Sequence, residues 1–191
     1  GAGTLIKDGS GTLTLSGTNG YTGVTIVSNG TLLVDGILGA GGGAVTVMTN
    51  GVLGGTGVVS RAVTIAAGAG DSIGGCIAPG GTNLGTLTIN GNFTLVPTNV
   101  VAQQPVWSVQ LSAATNDLLV VNGSFVMAST GLVTLKVGNG GGALPNNRTY
   151  TLMTWTNANP VGDAAQFQVV SMDPNWSGGI VTVDTNAKQV L

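Results

Sequence analysis

Short alternations of apolar and polar residues, each bounded by Gly, Asn or Ser, recur along the first part of the chain. Residues 9–34 hold three of them, at residues 12–15, 24–27 and 31–34. Alternation with a period of two is typical of a β-strand, and Asn-Gly steps are typical of turns. Three strands in so short a segment, with no helix between them, predict an all-β chain that winds as a parallel β-helix, or β-solenoid, with essentially no α-helix.

Asn-Gly steps mark the expected corners of the coil, because Asn and Gly tolerate the positive φ that a sharp corner requires. They begin at Asn19, Asn29, Asn50, Asn90, Asn122 and Asn139. The same dipeptide suits a two-residue hairpin, so an antiparallel sandwich is the alternative fold. The Gly-Thr-Leu motif at Gly11 recurs at Gly30, and Gly51 follows at nearly the same interval. This interval, about 20 residues, favours the parallel coil.

Inward side chains of successive turns are expected to stack into ladders, since neighbouring strands lie about 4.8 Å apart. The predicted ladder residues are Leu13, Leu15, Leu32, Val34, Val45, Val47, Val63, Ile65, Leu87 and Ile89. At about 20 residues per turn, nine or ten turns would form a rod about 45 Å long.

The whole chain, residues 1–191, is predicted to be one domain, with regular turns in residues 1–96 and less regular, wider turns in residues 97–191. Proline cannot donate to a strand ladder, and five prolines interrupt the second part. Seven of the eight aromatic residues lie beyond residue 92, and we expect Trp107 and Trp155 in the core there. Further strands are predicted at residues 71–77, 149–155 and 179–183.

Several stretches resemble the autotransporter-associated β-strand repeat, a family found in passenger regions of bacterial surface proteins. The stretches are residues 11–17, 19–23, 28–32 and, for the element that usually follows the repeat, 77–91. Val24 and Cys76 depart from the family pattern. The resemblance implies a right-handed parallel β-helix on the outside of a bacterium, acting as a stalk, adhesin or surface layer, with no catalytic residues. We also expect a targeting segment to have been removed or to lie outside this sequence.

Charged residues make up only 6% of the chain, as five Lys or Arg and seven Asp, with a net charge of -2. An ordinary domain carries about 25%. Five scattered cations cannot neutralise a row of phosphates, so nucleic acid is not an expected partner. No apolar run approaches the roughly 18 residues of a membrane helix, so no membrane insertion is expected. Low charge weakens the repulsion between copies and favours self-association.

Candidate catalytic chemistry is sparse. The absence of His removes the Ser/His/Asp and Cys/His triads, and one Cys cannot build the usual zinc sites. No catalytic, metal or cofactor residues are predicted, and Cys76 is expected to be a small buried hydrophobe. A polysaccharide-degrading enzyme, the remote alternative, would need two Asp side chains from different turns to converge, because the seven are well separated in the sequence.

Two features predict a lateral ligand surface. Trp176, between Pro174 and Gly178, is the best candidate for an exposed aromatic that packs on a sugar ring. The loop at residues 138–150 is the other candidate. Both fit an adhesin passenger fragment that binds a polysaccharide or a host surface.

The two ends of the coil support a different hypothesis, because neither shows a helical or charged cap in the sequence. Uncapped ends would let identical copies add head to tail. The residues expected to form that contact are Thr4, Leu5, Ile6, Val181, Val183, Val190 and Leu191. The first hypothesis is therefore a non-enzymatic, extracellular structural subunit that stacks with other copies of itself into a bacterial surface filament, sheath or layer.

Overall fold

The computed structural model describes residues 1–70, 72–141, 144–145, 148–158, 166–171 and 180–191. Within these ranges the chain forms 21 short β-strands, numbered along the chain, and one 3-10 turn, η1 (Val101–Gln103), but no α-helix. The prediction of an all-β chain is therefore confirmed.

The strands belong to three sheets. Sheet A contains β1 (Leu5–Lys7), β4 (Thr25–Val27), β7 (Val45–Val47), β10 (Val63–Ile65), β13 (Phe93–Leu95) and β16 (Phe125–Met127). Sheet B contains β2 (Thr12–Leu15), β5 (Gly30–Val34), β8 (Gly51–Gly55), β11 (Cys76–Pro79), β14 (Val106–Leu111), β17 (Val133–Asn139) and β19 (Phe167–Ser171). Sheet C contains β3 (Thr18–Asn19), β6 (Ile37–Leu38), β9 (Val58–Val59), β12 (Thr86–Ile89), β15 (Leu118–Val121), β18 (Met153–Trp155), β21 (Gln189–Val190) and β20 (Val183–Asp184).

Each strand from β1 to β15 pairs in parallel with the strand three places further along the chain, so the polypeptide visits the three sheets in turn. This pairing is that of a parallel β-solenoid, which confirms the predicted fold and excludes the antiparallel sandwich. We call one visit to all three sheets a coil. Coil 1 is β1 to β3, coil 6 is β16 to β18, and β19 begins a seventh. The strands at the C-terminal end differ, because β21 pairs antiparallel with both β18 and β20.

The coils lengthen along the chain. Leu5 lies opposite Thr25 and Thr25 opposite Val45, so the first two coils are equal in length. Thr94 lies opposite Val126 and Thr134 opposite Gln168, so each of these later coils contains more than one and a half times as many residues as an early coil. The prediction of nine or ten turns and a rod of about 45 Å was therefore wrong. The described strands stack at most eight deep, because long corner loops consume chain without adding axial rise.

The core is a continuous apolar column enclosed by the three sheets. Eight of the ten predicted ladder residues are fully buried, whereas Leu13 and Leu15 in coil 1 are only partly buried. The later coils replace Val and Leu by aromatic rings. Phe93 and Phe125 are stacked with centroids 5.9 Å apart, and Trp155 lies 5.7 Å from Phe125. Trp107 and Trp155 are buried, as predicted.

Glycines allow the tight corners between sheets B and C in the first coils. Gly17, Gly36 and Gly57 stack there, one from each coil. A Cβ atom on Gly36 would overlap the carbonyl oxygen of Gly17, and one on Gly57 would overlap that of Gly36. The backbones of adjacent coils therefore approach too closely at this corner for any larger residue.

Three predicted strands are shorter than the sequence pattern indicated. The strand predicted at residues 71–77 begins only at Cys76, and the one predicted at residues 149–155 begins at Met153. Of residues 179–183, only Val183 lies in a strand, and residue 179 is outside the described ranges. The residues before Cys76 and Met153 belong to corner loops, and only those next to the strands, Gly75 and Leu152, form backbone hydrogen bonds with a sheet.

Candidate binding surface

Long loops occur at two of the three corners, and both corners flank sheet B. In coils 4 to 6 the corner from sheet A to sheet B holds residues 66–75, 96–105 and 128–132, which we call the A/B loops. The corner from sheet B to sheet C holds residues 80–85, 112–117 and 140–152, which we call the B/C loops. From β9 to β16 the third corner takes only three residues each time, at 60–62, 90–92 and 122–124, whereas the first two coils use residues 20–24 and 39–44 there. The chain therefore elaborates one side of the solenoid.

The A/B loops are joined to one another across coils. The backbone N–H of Gly68 donates to Gln103 O at 2.7 Å, and the Gln103 side chain donates back to Gly70 O at 2.6 Å. Ser129 Oγ donates to Pro97 O at 2.6 Å. These bonds hold the loops as a wall along the coil axis. Its outer surface exposes the apolar side chains Ile73, Val100 and Val101.

The B/C loops form a second wall, with Asp117 buried inside it. Asp117 Oδ1 accepts from the N–H of Gly85 at 2.9 Å and Oδ2 from the N–H of Gln110 at 2.8 Å. Further out, Tyr150 Oη donates to Ser112 O at 2.8 Å. Asn116 Nδ2 donates to Thr151 O at 2.7 Å.

The buried carboxyl of Asp117 makes stability depend on pH. Burial raises its pKa from 3.8 to about 6, although the N–H donors of Gly85 and Gln110 oppose the shift. The folded protein therefore binds this proton more tightly than the unfolded chain does. The resulting stabilisation is complete below about pH 4 and is lost as the pH rises through 6. Urea unfolding should show a loss of about 2 kcal/mol between pH 4 and pH 7. The same slope in Asp117→Asn would contradict the assignment.

Both loop walls rest on the outer face of sheet B. From the A/B side, Gln104 Oε1 accepts a hydrogen bond from Thr134 Oγ1 at 2.7 Å. From the B/C side, Gly81 O accepts one from Gln110 Nε2 at 3.4 Å. Thr134 and Gln110 both point outward from the sheet, so the loops cover its two margins.

Between the two margins a row of outward residues stays partly open across four strands. Lys136 of β17 lies opposite Ser108 of β14 and opposite Val170 of β19. Ile77 lies opposite Trp107, so the next residue of β11, Ala78, lies beside Ser108. We call Ala78, Ser108, Lys136 and Val170 the sheet B strip. It spans three strand spacings, about 14 Å.

Lys136 differs from the other four cations of the chain. The other four donate to backbone carbonyl oxygens. These are Lys7 to Asp8, Gly9 and Asn29; Arg61 to Tyr21, Gly23, Gly39 and Gly43; Arg148 to Ala113 and Ala114; and Lys188 to Thr156 and Asn157. Lys136 makes no hydrogen bond or ion pair with the described part of the chain. Its ammonium group is the uncompensated charge of the strip.

Cys76 lies at the margin of the outer face of sheet B, directly opposite Val106 of the neighbouring strand β14. It points outward and is only partly covered, so the expectation of a core hydrophobe needs correction. Burial nevertheless raises the pKa of its thiol to about 12, against a smaller lowering by the charge of Lys136. A thiol with so high a pKa is almost wholly protonated at neutral pH and is a poor nucleophile.

The residues predicted for self-association lie at both ends of the coil. Thr4 precedes β1, while Leu5 and exposed Ile6 are in β1, which pairs only with β4 in this chain. At the other end, Val190 is fully buried between β18 and β20, because Met153 and Val183 flank it in the sheet. Val190 therefore does not lie at a sheet edge. Leu191 exchanges backbone hydrogen bonds with Thr182, and partly buried Val181 and Val183 pack against the core.

The other predicted ligand surface is only partly described. Trp176 lies outside the described residues, as do residues 142–143 and 146–147 of the loop at residues 138–150. The described part of that loop places Arg148 over the ring of Tyr150, 5.1 Å from its centroid. No cluster of three metal-ligating side chains occurs among the residues that the structure describes. In the same residues, no helix has the length and apolar character needed to cross a membrane.

The stacked coils with loop walls on one side define the molecule as a β-solenoid scaffold with a lateral loop surface. Residues 5–34 match the family described as passenger-associated-transport-repeat. Over 80 residues, 42% of this chain, the sequence is 41% identical to the adhesin BmaC autotransporter of Brucella suis biovar 1 (strain 1330), and the match spans 2% of that protein. The chain therefore carries an autotransporter passenger repeat, which confirms the resemblance, and it is extracellular and surface-exposed.

Proposed function

We propose that this chain is a non-enzymatic segment of an adhesin-type protein, in which the coil is a rigid spacer and the face of sheet B attaches to a polysaccharide or host surface. The observation that carries the proposal is that, from β9 to β18, loops longer than three residues occur only at the two corners that flank sheet B. Loops added for stability alone have no reason to avoid the third corner, whereas loops that frame a ligand must lie on one side. Similarity to an autotransporter adhesin supports the same function.

The described carboxylates give no support to a polysaccharide-degrading enzyme. Asp8 and Asp35 belong to corners of coils 1 and 2, Asp117 to coil 5, and Asp184 to β20. Each accepts a hydrogen bond from Ser28, Thr56, Gly85 or Asn186, respectively. A pair of carboxylates about a glycosidic bond would have to be built from other residues.

Loop replacement tests the proposal. The loop at residues 96–105 can be exchanged for a copy of residues 128–132, which turn the same corner in the next coil. Because this shortens one wall and leaves the strands intact, we expect attachment of protein-coated beads to polysaccharide or cultured cells to fall about tenfold. The unchanged coil should keep its β-type circular dichroism spectrum.

A double variant on the opposite side is the control. Val24→Ser with Ile37→Ser removes two exposed apolar side chains that lie outside both loop walls. It should attach like the unmodified chain. Equal attachment by the loop variant, or equal loss in the control, would show that sheet B and its loops are not the adhesive side.

Head-to-tail stacking is a second candidate function. In this chain β1, β2 and β3 each pair with one strand only, so a preceding coil of the same polypeptide or a second copy can add there. The other end is less suited to such addition in sheet C, because β20 and β21 run antiparallel to each other. Sedimentation velocity over a range of concentrations distinguishes monomers from stacks.

A further inference from the structure

We propose that the sheet B strip binds an acidic polysaccharide, with a carboxylate or sulfate group of the sugar chain on the ammonium of Lys136. The inference rests on the proposed adhesive function and assigns a ligand class to its surface. Lys136 stands in the middle of the outer face of sheet B, between walls that cover the margins at Thr134 and Gln110. The strip runs along the coil axis, and an extended polymer can follow it from β11 to β19.

The ammonium group of Lys136 lacks a partner that would balance its charge. A cation held against protein usually has a carboxylate or several carbonyl oxygens as partners, since desolvation is costly without them. Lys136 has neither among the described residues, and the described carboxylates each bond elsewhere. A bound anion would supply the missing partner.

A buried amide group, that of Gln104, lies beside Lys136 and is only partly hydrogen-bonded. The side chain of Gln104 is only 2% exposed, and its Nε2 has no acceptor. Its Oε1 bonds to Thr134, which precedes Lys136 on the same outward face. A buried amide donor without a partner is destabilising. Because this atom is itself covered, it marks the margin beside Lys136 as incompletely satisfied and is not a direct ligand contact.

The chemistry of the strip favours a sugar polymer over an acidic peptide. An extended peptide gains most of its affinity by adding a strand to a sheet edge. Here β11, β14 and β17, which carry three of the four strip residues, are each paired on both sides, so their backbone groups are already used, whereas β19 has one edge without a partner among the described strands. What remains are the Ser108 hydroxyl and the Lys136 ammonium, which match sugar hydroxyls and acidic groups.

Binding of three defined polymers to the complete chain tests the inference. Polygalacturonate is the acidic polysaccharide, dextran the neutral one and poly-glutamate the acidic peptide. We expect polygalacturonate to bind, and about 0.5 M salt to weaken it strongly because the contact is partly exposed. Lys136→Gln should weaken binding about tenfold, the loss of one charged hydrogen bond. Lys136→Arg should retain most of the affinity.

Two further variants distinguish a general effect of net charge from a specific effect of Lys136 in the strip. Lys188→Gln removes the same charge at the end of the coil and should leave binding unchanged. Ser108→Trp leaves the charge intact but fills the strip, and it should abolish binding. Circular dichroism and thermal unfolding establish that each variant is folded.

The inference would be overturned by equal binding of dextran, by preference for poly-glutamate, by no polymer binding at all, or by a Lys136→Gln variant that binds as the unmodified chain does. Bead attachment that survives Lys136→Gln yet falls on shortening residues 96–105 would reject the acidic ligand and leave the adhesive function standing. Attachment that ignores both changes would reject the adhesive face itself.

Discussion

Replacing Phe125 by alanine should lower the free energy of unfolding by about 3–5 kcal/mol, the largest loss expected of any core substitution in this chain. Phe125 is 1% exposed and touches two other aromatic rings, stacking on Phe93 and lying 5.7 Å from Trp155. It therefore joins coils 5 and 6 at their widest part. Truncation leaves a cavity that the neighbouring strands β13 and β18 cannot close, because each of them is held by a ladder on both sides.

Urea unfolding followed by circular dichroism measures this loss. Val126→Ala is the matched control, since Val126 is the next residue of β16 and points outward. It should cost less than about 1 kcal/mol. A similar cost for the two variants would mean that the aromatic column does not hold the later coils together.

Replacing Arg61 by methionine should cost about 3 kcal/mol, although it removes a buried charge and keeps most of the side-chain volume. Arg61 is 3% exposed, and its guanidinium donates to the carbonyl oxygens of Tyr21, Gly23, Gly39 and Gly43. It also lies 4.5 Å from the centre of the Tyr21 ring. One side chain from the corner between coils 3 and 4 thereby ties together the corners that follow coils 1 and 2, and its loss leaves several acceptors unpaired.

Arg148→Met offers an unusually close control for this prediction. Arg148 also donates to two backbone carbonyl oxygens, those of Ala113 and Ala114, and also covers a tyrosine ring, but it is exposed. Water can replace its bonds, so its removal should cause only a small fraction of the loss. Equal effects of the two substitutions would show that burial is not what gives Arg61 its importance.

The pattern of the sequence was sufficient for the strands and ladders of the early coils. Leu32, Val45 and Ile65 are each fully buried, and the regular recurrence of their short alternating segments determines which of them share a ladder. The number of coils was not predictable in the same way. The loop at residues 96–105 is marked by Pro97 and Pro105 and the one at residues 66–75 by its glycines, but neither composition gives the number of residues that the loop adds to a coil.

The candidate site was less accessible to sequence reasoning than the fold. Arg61 and Lys7 are bound by backbone carbonyl oxygens, which every residue possesses and which no motif identifies. Lys136 comes to the middle of the strip only because β14 and β17 adopt one particular register across a connection that includes a loop from each wall. Sequence spacing alone does not determine that register. The short strands β3 and β6 were also missed, because two residues are too few to show an alternation.

The unequal size of the coils limits how this architecture can evolve in length. A short coil from the N-terminal part can be duplicated beside its parent, because its Val and Leu ladders meet similar neighbours above and below. Each such duplication would extend the reach of the molecule by about 4.8 Å and leave the ligand face unaltered. The same insertion between coils 5 and 6 would separate Phe93 from Phe125 and interrupt both loop walls. Under the proposed function, distance from the cell and recognition are thus encoded in separate parts of one polypeptide, and selection can adjust the first without disturbing the second.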